Sequence, residues 1–363
     1  MKTLLKVALL AGLAILMGSA HAKAQAVGLT GSNSSTGSPT PGLSSTNARQ
    51  AAPPVSGSSQ TPTYEDWSTI SLAKSGLSLE AVGGVVLGKS DANGCTRERL
   101  RVQWRINDPI DLFLIRPSGT EKIPAVLFLY NFNFDEAVFR KDHWCNIAIR
   151  NGFAVVGVPS ALSWSRIRPP RPMKEWFVGD LQEALATSTH DVQMVINSLA
   201  SRSDIDTQHV GVFGEGSGGA IAILAAAADP RICVLDLMNP WGDWPDWLKG
   251  SLQIPENERP DYLKSKFLAS VSTLDPIDYL PRLKDRAIRI QQVLTDPVTP
   301  PAARDKIAAA APQPNAIARY NTISDEAKVL GSDGIVGWIA GQLHSSRPAN
   351  LQDSQPKPEN ISK

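Results

Sequence analysis

Apolar strand-like runs and helix-like stretches alternate along most of this chain. Continuous apolar runs at 123–130, 153–158, 231–237 and 287–294 predict strands that are covered on both faces. Between them lie stretches with helical spacing, of which 180–201 is the longest. Strands that alternate with helices in this way predict an α/β fold with a doubly wound, mostly parallel sheet.

Weaker patterns complete the expected set of elements. A polar, helix-prone insertion at about 240–286 is expected to form a helical cap. Additional strands are expected at 79–88, 100–106, 110–115 and 316–323, and additional helices at 136–151, 301–311 and 332–344. Because ligand sites on such sheets form outside the carboxyl ends of the strands, the residues that directly follow each strand are the candidates for function.

Residues 1–24 have the organisation of a secretory signal peptide. A lysine-bearing start leads into an apolar run, which ends in small residues at alternate positions up to Ala22. Cleavage is expected after Ala22 or Ala24, and the mature protein is expected to be periplasmic or extracellular. An uncleaved membrane anchor is the alternative. The apolar run is shorter than the ~20 residues that a spanning helix needs, so no stable membrane span is expected after cleavage.

Two polar segments flank the main part of the chain. Residues 25–63 are rich in Ser, Thr, Gly and Pro, and residues 348–363 are similarly poor in large apolar side chains. Such segments bury too little apolar surface to offset their ordering entropy, which predicts a disordered linker and a disordered tail. One domain is expected at 64–347, and this length is sufficient for a full hydrophobic core.

The composition narrows the possible partners. The formal net charge is +1 over 363 residues, which favours neither nucleic acid nor an anionic membrane surface. No cofactor is expected, and the cysteines lack the spacing of a metal site. Cys233 lies in an apolar run and is interpreted as a small core residue. Cys95 and Cys145 could form a disulfide in an exported protein, but the sequence leaves their pairing open.

The most informative stretch is 209–227, in which a short apolar run is followed by a glycine-dense turn and an alanine-rich helix pattern. Its turn reads Gly214-Glu215-Gly216-Ser217-Gly218. Strand, sharp turn and helix in this order form the setting of the G-x-S-x-G nucleophile elbow, in which a serine stands on a strained turn above the sheet. Here the middle position is glycine, and the serine comes one residue later.

Together with three other segments, this turn resembles the α/β-hydrolase superfamily, in particular the dienelactone-hydrolase and acyl-esterase type. The resemblance covers roughly 123–343. It implies the α/β-hydrolase fold and a nucleophile, an acid, a histidine and an oxyanion hole at the carboxyl ends of the strands. The other segments are the strand from Pro124, the run Gly152-Phe153-Ala154-Val155-Val156, and the turn Thr295-Asp296-Pro297-Val298-Thr299-Pro300-Pro301.

The position of the nucleophile depends on the register of the turn. Aligning the strand with the family places the nucleophile at Gly216, which has no reactive atom. A turn shifted by one residue would use Ser217, but it would then put Glu215 where the family needs a small residue. We therefore interpret Ser217 as an ordinary residue of the first helical turn and keep it as the alternative nucleophile.

The sequence has a candidate for the acid of the family's triad but no histidine at the expected position. Asp296 follows a predicted strand, as the family's acid does, although an aspartate there also suits a turn. The histidine should lie in the loop after the last strand, at 323–328, which contains none; Asp325 or Ser324 occupies its place. His143 is the one histidine expected near the right end of the sheet, and it is the fallback base. Without a base, a serine hydroxyl is a weak nucleophile at neutral pH.

The oxyanion region also departs from the family pattern. A small-residue turn is usual after the first central strand, whereas this chain has Tyr130-Asn131-Phe132-Asn133. The start of the helix after Gly216 still offers backbone N–H groups to an anion. Acidic residues expected at the same edge would oppose an anion and favour a cation or another polar ligand. They are Glu215, Asp296, Asp325 and Glu326.

Trp241, Trp244 and Trp247 open the predicted cap. They could stack on a sugar or an apolar ligand, or they could anchor the cap to the core. Both interpretations are kept at this point. The ligand-binding candidates are therefore Tyr130, Asn131, Glu215, Ser217, Trp241 and Trp244.

Two functional hypotheses follow from the sequence. The first is an exported α/β-hydrolase-fold protein that has lost its catalytic triad and binds a small-molecule or protein ligand. The second is an active secreted hydrolase of esters or acyl groups, with Ser217 as nucleophile and an unconventional base. The triad-equivalent positions are Gly216, Asp296 and Asp325.

Overall fold

The computed structural model describes residues 65–79, 84–105, 108–119, 121–131, 136–161, 173–330 and 334–345. The predicted signal peptide, linker and C-terminal tail lie outside these residues. Within the described part of the chain, no helix combines the length and the hydrophobicity that a membrane span requires.

The described residues form a nine-stranded sheet in the order β1-β2-β3-β5-β4-β6-β7-β8-β9. The pairs β1–β2, β2–β3 and β3–β5 are antiparallel, and all others are parallel, which confirms the predicted doubly wound, mostly parallel sheet. The strands are β1 (Val85–Ala92), β2 (Cys95–Val102), β3 (Ile110–Pro117), β4 (Ile123–Leu129), β5 (Ala154–Gly157), β6 (Ile205–Glu215), β7 (Ile232–Met238), β8 (Ala287–Val293) and β9 (Ala316–Tyr320).

Helices connect the strands and cover both faces of the sheet. Their bounds are α1 (His143–Asn151), α2 (Met173–Ala200), α3 (Ser217–Ala228), α4 (Trp244–Gly250), α5 (Arg259–Tyr262), α6 (Ser265–Val271), α7 (Pro276–Tyr279), α8 (Pro301–Ala310), α9 (Ile323–Leu330) and α10 (Gly334–Ser345). Short 3-10 turns lie at Leu72–Lys74, Glu136–Arg140, Ser272–Leu274 and Leu280–Arg282. The segment between β7 and β8 is helical, as predicted for the insertion at about 240–286.

Strand β4 is buried on both faces because helices cover both sides of the sheet. Ala125, Leu127 and Leu129 belong to the core that contains α2 and α3. Val126 and Phe128 belong to the opposite core, which contains α1 and α10. This arrangement explains why the central strands read as continuous apolar runs rather than as alternating patterns.

The chain changes direction across the sheet at β4. Strand β5 pairs with one edge of β4 and β6 with the other, and the later strands continue outward from β6. A crevice at the carboxyl ends of the strands is expected at such a switch point. The residues that follow β4 and β6 there are Tyr130, Asn131 and Gly216.

Three strand predictions need correction at their ends. Strand β2 begins at Cys95 rather than at residue 100, and it ends at Val102. Strand β1 begins at Val85 rather than at residue 79. Strand β9 ends at Tyr320 rather than at residue 323, because Thr322 and Asp325 cap a helix there through their side chains and backbone N–H groups. The reciprocal bonds form a capping box, a local signal that ends the strand pattern earlier than hydrophobicity suggests.

The cysteine pairing that the sequence left open is present in the structure. Cys95 on β2 and Cys145 on α1 form a disulfide with their Cα atoms 5.7 Å apart. It ties the antiparallel part of the sheet to the helix that covers one face. Cys233 is a free thiol. Burial raises its pKa, which favours the unreactive protonated form.

The close approach of α3 to β4 gives a stability prediction. A Cβ added at Gly218 would lie 2.0 Å from the Leu129 carbonyl oxygen, which is backbone and has little freedom to move. We expect Gly218→Ala to lower the free energy of unfolding by about 1–3 kcal/mol or more in urea titration, because the interior resists overpacking.

Gly337→Ala is the matched control for this substitution. Gly337 is also helical, but nothing lies within 4 Å of an added Cβ. The change should leave stability unaltered or raise it by about 0.5–1 kcal/mol through helix propensity. Equal effects of the two variants would show that the contact at Leu129 does not constrain the turn.

Candidate functional site

The turn between β6 and α3 has its apex at Gly216. This residue has φ +55° and ψ −116°, a backbone conformation that is strained for any residue with a Cβ. Helix α3 begins at the next residue, Ser217. Gly216 is therefore the apex of the turn, and Ser217 is the first residue of the helix.

The residues two positions from the apex explain why this register holds. A Cβ at Gly214 would lie 2.7 Å from the Gly218 carbonyl oxygen, and Gly218 itself faces β4. Both positions require glycine because backbone meets backbone there. Glu215 could not occupy such a position, so a turn shifted to place Ser217 at the apex does not fit this packing.

Hydrogen bonds to the end of β7 fix the apex. The Gly216 N–H donates to the Met238 carbonyl oxygen at 2.9 Å, and the Gly216 carbonyl oxygen accepts from the Trp241 N–H at 3.1 Å. The same carbonyl oxygen accepts from Gly219 and Ala220 in the first turn of α3. The strained conformation is thus held from both sides.

The side chain of Asn131 occupies the space in front of the apex. Its amide carbon lies 3.0 Å from the position that a Gly216 Cβ would take. Its Oδ1 accepts from the Ser217 hydroxyl at 3.0 Å and lies 3.4 Å from the Ser217 backbone nitrogen, which donates to it. In α/β-hydrolases the N–H after the nucleophile belongs to the oxyanion hole. Here that donor faces an amide oxygen of the protein itself.

Ser217 does not have the surroundings of an activated nucleophile. Its side chain is fully buried, and its hydroxyl donates to Asn131. None of the described hydrogen bonds joins Ser217 to an imidazole. His143, the fallback base, is exposed at the start of α1 and contacts the ring of Trp144.

Two other histidines lie in structural contacts away from the elbow. Both ring nitrogens of His190 are engaged, Nδ1 with Glu65 at 2.6 Å and Nε2 with the Thr69 carbonyl oxygen at 2.9 Å. His209 lies within β6, six residues before its carboxyl end, and its Nδ1 is 3.5 Å from Asp206. Neither contact involves the elbow.

Asp325 and Glu326 have different surroundings although they are adjacent. The carboxylate of Asp325 accepts from Thr322 and from Lys328, so it caps α9 at the surface. The Glu326 side chain is only 5% exposed, and its Oε1 has no hydrogen-bond partner within the described part of the chain. The capping box fixes which face of α9 turns inward, so Glu326 is buried and Asp325 is partly exposed.

The charge of Asp296 acts on two glutamates at this edge of the sheet. Glu215 ends β6, Asp296 follows β8, and Glu326 lies in the first two turns of α9. Burial and the Asp296 charge raise the pKa of Glu215 to about 7. Burial and the charges of Glu215 and Asp296 raise the pKa of Glu326 to about 8. Burial away from water is the largest cause of both pKa increases, and repulsion from the neighbouring acids adds to it.

Asp296 and Tyr130 complete the surroundings of these two glutamates. Asp296 Oδ1 accepts from the Val298 N–H at 2.9 Å, in an aspartate turn that orients the carboxylate. The ring of Tyr130 packs edge-on against Phe213, with 5.5 Å between centroids. Burial and the Glu215 charge raise the pKa of Tyr130, so its hydroxyl stays protonated.

The tryptophans of the cap are core residues. Trp241 and Trp244 are each 1% exposed, and Trp247 is fully buried. Trp241 and Trp247 pack with 4.5 Å between ring centroids, and the Trp244 indole N–H donates to the Leu274 carbonyl oxygen. Asp275 fixes the start of α4 by accepting from the N–H groups of Asp243 and Trp244, each at 2.8 Å. These contacts favour the anchoring interpretation over ligand stacking for Trp241 and Trp244.

Several solved structures share this arrangement of strands and helices. Acetyl xylan esterase 1 from Thermoanaerobacterium sp. JW/SL YS485 superposes with a TM-score of 0.51 at 15% identity, over 67% of this chain and 81% of that one. An S-formylglutathione hydrolase from Agrobacterium tumefaciens superposes with a TM-score of 0.53 at 13% identity, over 71% and 99%. The chain has an α/β-hydrolase fold. An acetyl xylan esterase from Paenibacillus sp. R4 gives a TM-score of 0.50 at 14% identity, over 67% and 83%.

Comparison of sequences adds nothing to this structural likeness. No family model matches the chain, and no curated protein matches it. The identities to the solved structures are low, so the α/β-hydrolase likeness concerns the fold alone, and the chemistry has to be argued from the residues at the site.

The acidic cluster predicts an unusual dependence of stability on pH. The folded-state pKa of Glu326 lies above its unfolded value, so the native state binds more protons between about pH 4.5 and 8. Stability from this group is present below the unfolded pKa and is lost as the pH rises through the folded pKa. In Glu326→Gln we expect a free energy of unfolding at pH 8.5 that exceeds wild type by more than about 1 kcal/mol, and a flatter profile from pH 5 to 9.

Glu121→Gln is the control, because Glu121 is exposed. Chemical denaturation of both variants at each pH measures the effect. A wild-type stability that rises steadily from pH 5 to 8.5, or identical profiles for Glu326→Gln and Glu121→Gln, would contradict the buried position of Glu326 beside two acids.

Proposed function

We propose that this protein is an exported α/β-hydrolase-fold protein that does not catalyse hydrolysis and instead binds a ligand at the carboxyl edge of its sheet. The observation that carries the proposal is the glycine at the apex of the elbow. Gly216 supplies no nucleophile, and Asn131 fills the space in front of it. The likeness to esterases in fold supports a scaffold of hydrolase type without supplying its chemistry.

The environment of Ser217 supports the non-catalytic proposal over an active enzyme. A serine nucleophile needs a base within hydrogen-bond reach and a hydroxyl that faces the substrate. The Ser217 hydroxyl is buried and donates to an amide oxygen, which takes no proton at neutral pH. None of the described hydrogen bonds joins Ser217 to Asp296 or to Glu326, so neither acid supplies the missing base directly.

Fluorophosphonate labelling tests the loss of catalysis. We expect the purified mature protein to remain unlabelled by a fluorophosphonate probe over the time in which a serine esterase labels fully, and to release no product from p-nitrophenyl acetate above the buffer rate. Ser217→Ala is the matched variant and should behave identically. Labelling of wild type that Ser217→Ala abolishes would overturn the proposal in favour of a hydrolase that uses Ser217.

Export is the second part of the proposal. The signal-peptide pattern of residues 1–24 supports it, and so does the disulfide between Cys95 and Cys145, since disulfides persist in oxidising compartments. The proposed destination of the mature protein is the periplasm or the extracellular medium.

Expression of the full chain in a bacterium with an oxidising periplasm tests this part. We expect the protein outside the cytoplasm, with its N-terminus after Ala22 or Ala24 by mass spectrometry. Alkylation of the denatured, unreduced protein should modify one cysteine, Cys233, and prior reduction should expose all three. Retention in the cytoplasm with residues 1–24 intact would contradict export.

A further inference from the structure

Residues 65–75, which we call the strap, lie against helix α2. The Leu72 side chain is 3% exposed and anchors the strap in the interior. The Leu72 N–H donates to Gln193 Oε1 at 3.1 Å, and the Ile70 carbonyl oxygen accepts from Gln193 Nε2 at 2.8 Å. Backbone hydrogen bonds to α2 and a buried apolar side chain therefore position the strap.

Both ring nitrogens of His190, on α2, face hydrogen-bond acceptors of the strap. Nδ1 lies 2.6 Å from Glu65 Oε1, and Nε2 lies 2.9 Å from the Thr69 carbonyl oxygen. A carbonyl oxygen and an ionised carboxylate accept hydrogen bonds and cannot donate them. A neutral imidazole has one N–H group, so it can satisfy one of these two contacts and not the other. The two contacts together require the doubly protonated, positively charged ring.

Glu65 is the ionised acceptor that this argument needs. Burial raises the pKa of Glu65, but hydrogen bonds and charge from Arg105 and His190 outweigh burial and lower it to about 2. The Arg105 guanidinium donates to both carboxylate oxygens of Glu65, at 2.5 and 2.7 Å. Glu65 therefore carries no proton near neutral pH that it could donate to the ring, and the N–H of this contact belongs to His190.

The charged groups around this contact lie on three elements. They are Glu65 and Asp66 on the strap, Arg105 and Asp108 in the connection between β2 and β3, and Asp191 on α2. Arg105 bridges Glu65 and Asp191, and the Trp104 indole N–H also donates to Asp191, at 2.8 Å. Acids outnumber bases in this set, which favours a positive charge on the ring.

We propose that His190 is a proton-dependent latch, which holds the strap on α2 while both ring nitrogens carry protons and releases it as the pH rises. Loss of one proton leaves a nitrogen lone pair facing either the Glu65 carboxylate or the Thr69 carbonyl oxygen. The His190 side chain is fully buried, so water cannot relieve this repulsion. The inference is independent of the proposed function, because neither contact involves the elbow.

The strap is the part of the molecule that is expected to move when the latch opens. Helix α2 contributes Val192, Val195 and Ile196 to the main core, so it stays in place. Segments with few buried apolar contacts open at a lower free energy than the core does. After release, the predicted linker at 25–63 would continue to Ser75, and the tether of the domain would lengthen as the medium becomes alkaline.

Hydrogen exchange of the mature protein, followed by mass spectrometry from pH 5.5 to 9.5, measures the opening of the strap. The attached state binds one proton more than the open state, so attachment weakens as the pH rises. After correction for the base-catalysed chemical rate, we expect the protection of peptides from 66–75 to fall about tenfold or more relative to that of β6. Strap protection that is constant over this range, or that falls no more than that of β6, would overturn the proposal.

The protonation of the His190 ring provides a second measurement. Long-range ¹H–¹⁵N correlation spectra of ¹⁵N-labelled protein distinguish a charged imidazole from either neutral tautomer. We expect the second ring proton to be lost over the same pH interval in which the strap loses its protection. A neutral ring under a protected strap, or an open strap beside a charged ring, would contradict the latch.

Variants on the strap separate the latch from general charge effects. Glu65→Gln replaces the charged acceptor of Nδ1, and the exchange of 66–75 at pH 5.5 should become about tenfold faster or more. Asp66→Asn is the matched control and should leave this exchange unchanged, because Asp66 is exposed and accepts from Ser68. Equal exchange of the strap in the two variants would contradict the role of Glu65.

Substitution of the ring itself completes the test. His190→Gln removes the titrating group, so strap protection should be low at pH 5.5 and should no longer depend on pH. His209→Gln is its control, because His209 contacts Asp206 within β6, and it should keep the wild-type pH dependence. An unchanged pH dependence in His190→Gln would overturn the proposal. Circular dichroism checks that this variant is folded, and Glu65→Gln keeps the test decisive if it is not.

Discussion

The close packing of backbone against backbone at the β6–α3 turn is the constraint on which the rest of the site depends. Gly214 and Gly218 allow helix α3 to rise directly over the ends of β4 and β6, with no side chain between them. Gly216 then has to adopt its strained conformation, and hydrogen bonds to Met238 and Trp241 hold it there. The backbone contacts of Gly214 and Gly218 thus fix the position of the turn relative to β4 and β6.

The turn at Gly216 has a structural role that does not depend on a nucleophile. A strained apex costs free energy, and in an active hydrolase the surrounding structure holds the strained residue so that the serine is exposed above the sheet. Here glycine removes most of the cost, since it lacks the Cβ that makes such a conformation unfavourable. The turn still sets the crossing of α3 over the sheet, and Asn131 satisfies the N–H and hydroxyl of Ser217 that would otherwise be left in a buried space.

The edge of the sheet is chemically different from that of a triad hydrolase. A Ser-His-Asp site contains one carboxylate hydrogen-bonded to a histidine. The corresponding edge of this sheet contains the acidic residues Glu215, Asp296 and Glu326. Burial and repulsion from neighbouring acids raise the pKa of Glu215 to about 7 and the pKa of Glu326 to about 8. None of the described hydrogen bonds joins these carboxyl groups to Ser217.

The sequence by itself determined the fold class, most of the elements and the register of the elbow. Short continuous apolar runs rich in β-branched residues predicted strands that are covered on both faces, and the spacing of Gly214, Gly216 and Gly218 predicted a sharp turn between a strand and a helix. Tertiary structure decided what the sequence left open. Cys95 and Cys145 approach each other because α1 packs on β2, Trp241 and Trp244 are buried by the cap, and Glu326 rather than Asp325 turns inward because Thr322 starts the helix. The inward position of Glu326 follows from a local capping box that the hydrophobic pattern did not reveal. The disulfide and the buried tryptophans depend on distances between segments remote in the chain, and local patterns carry no information about those distances.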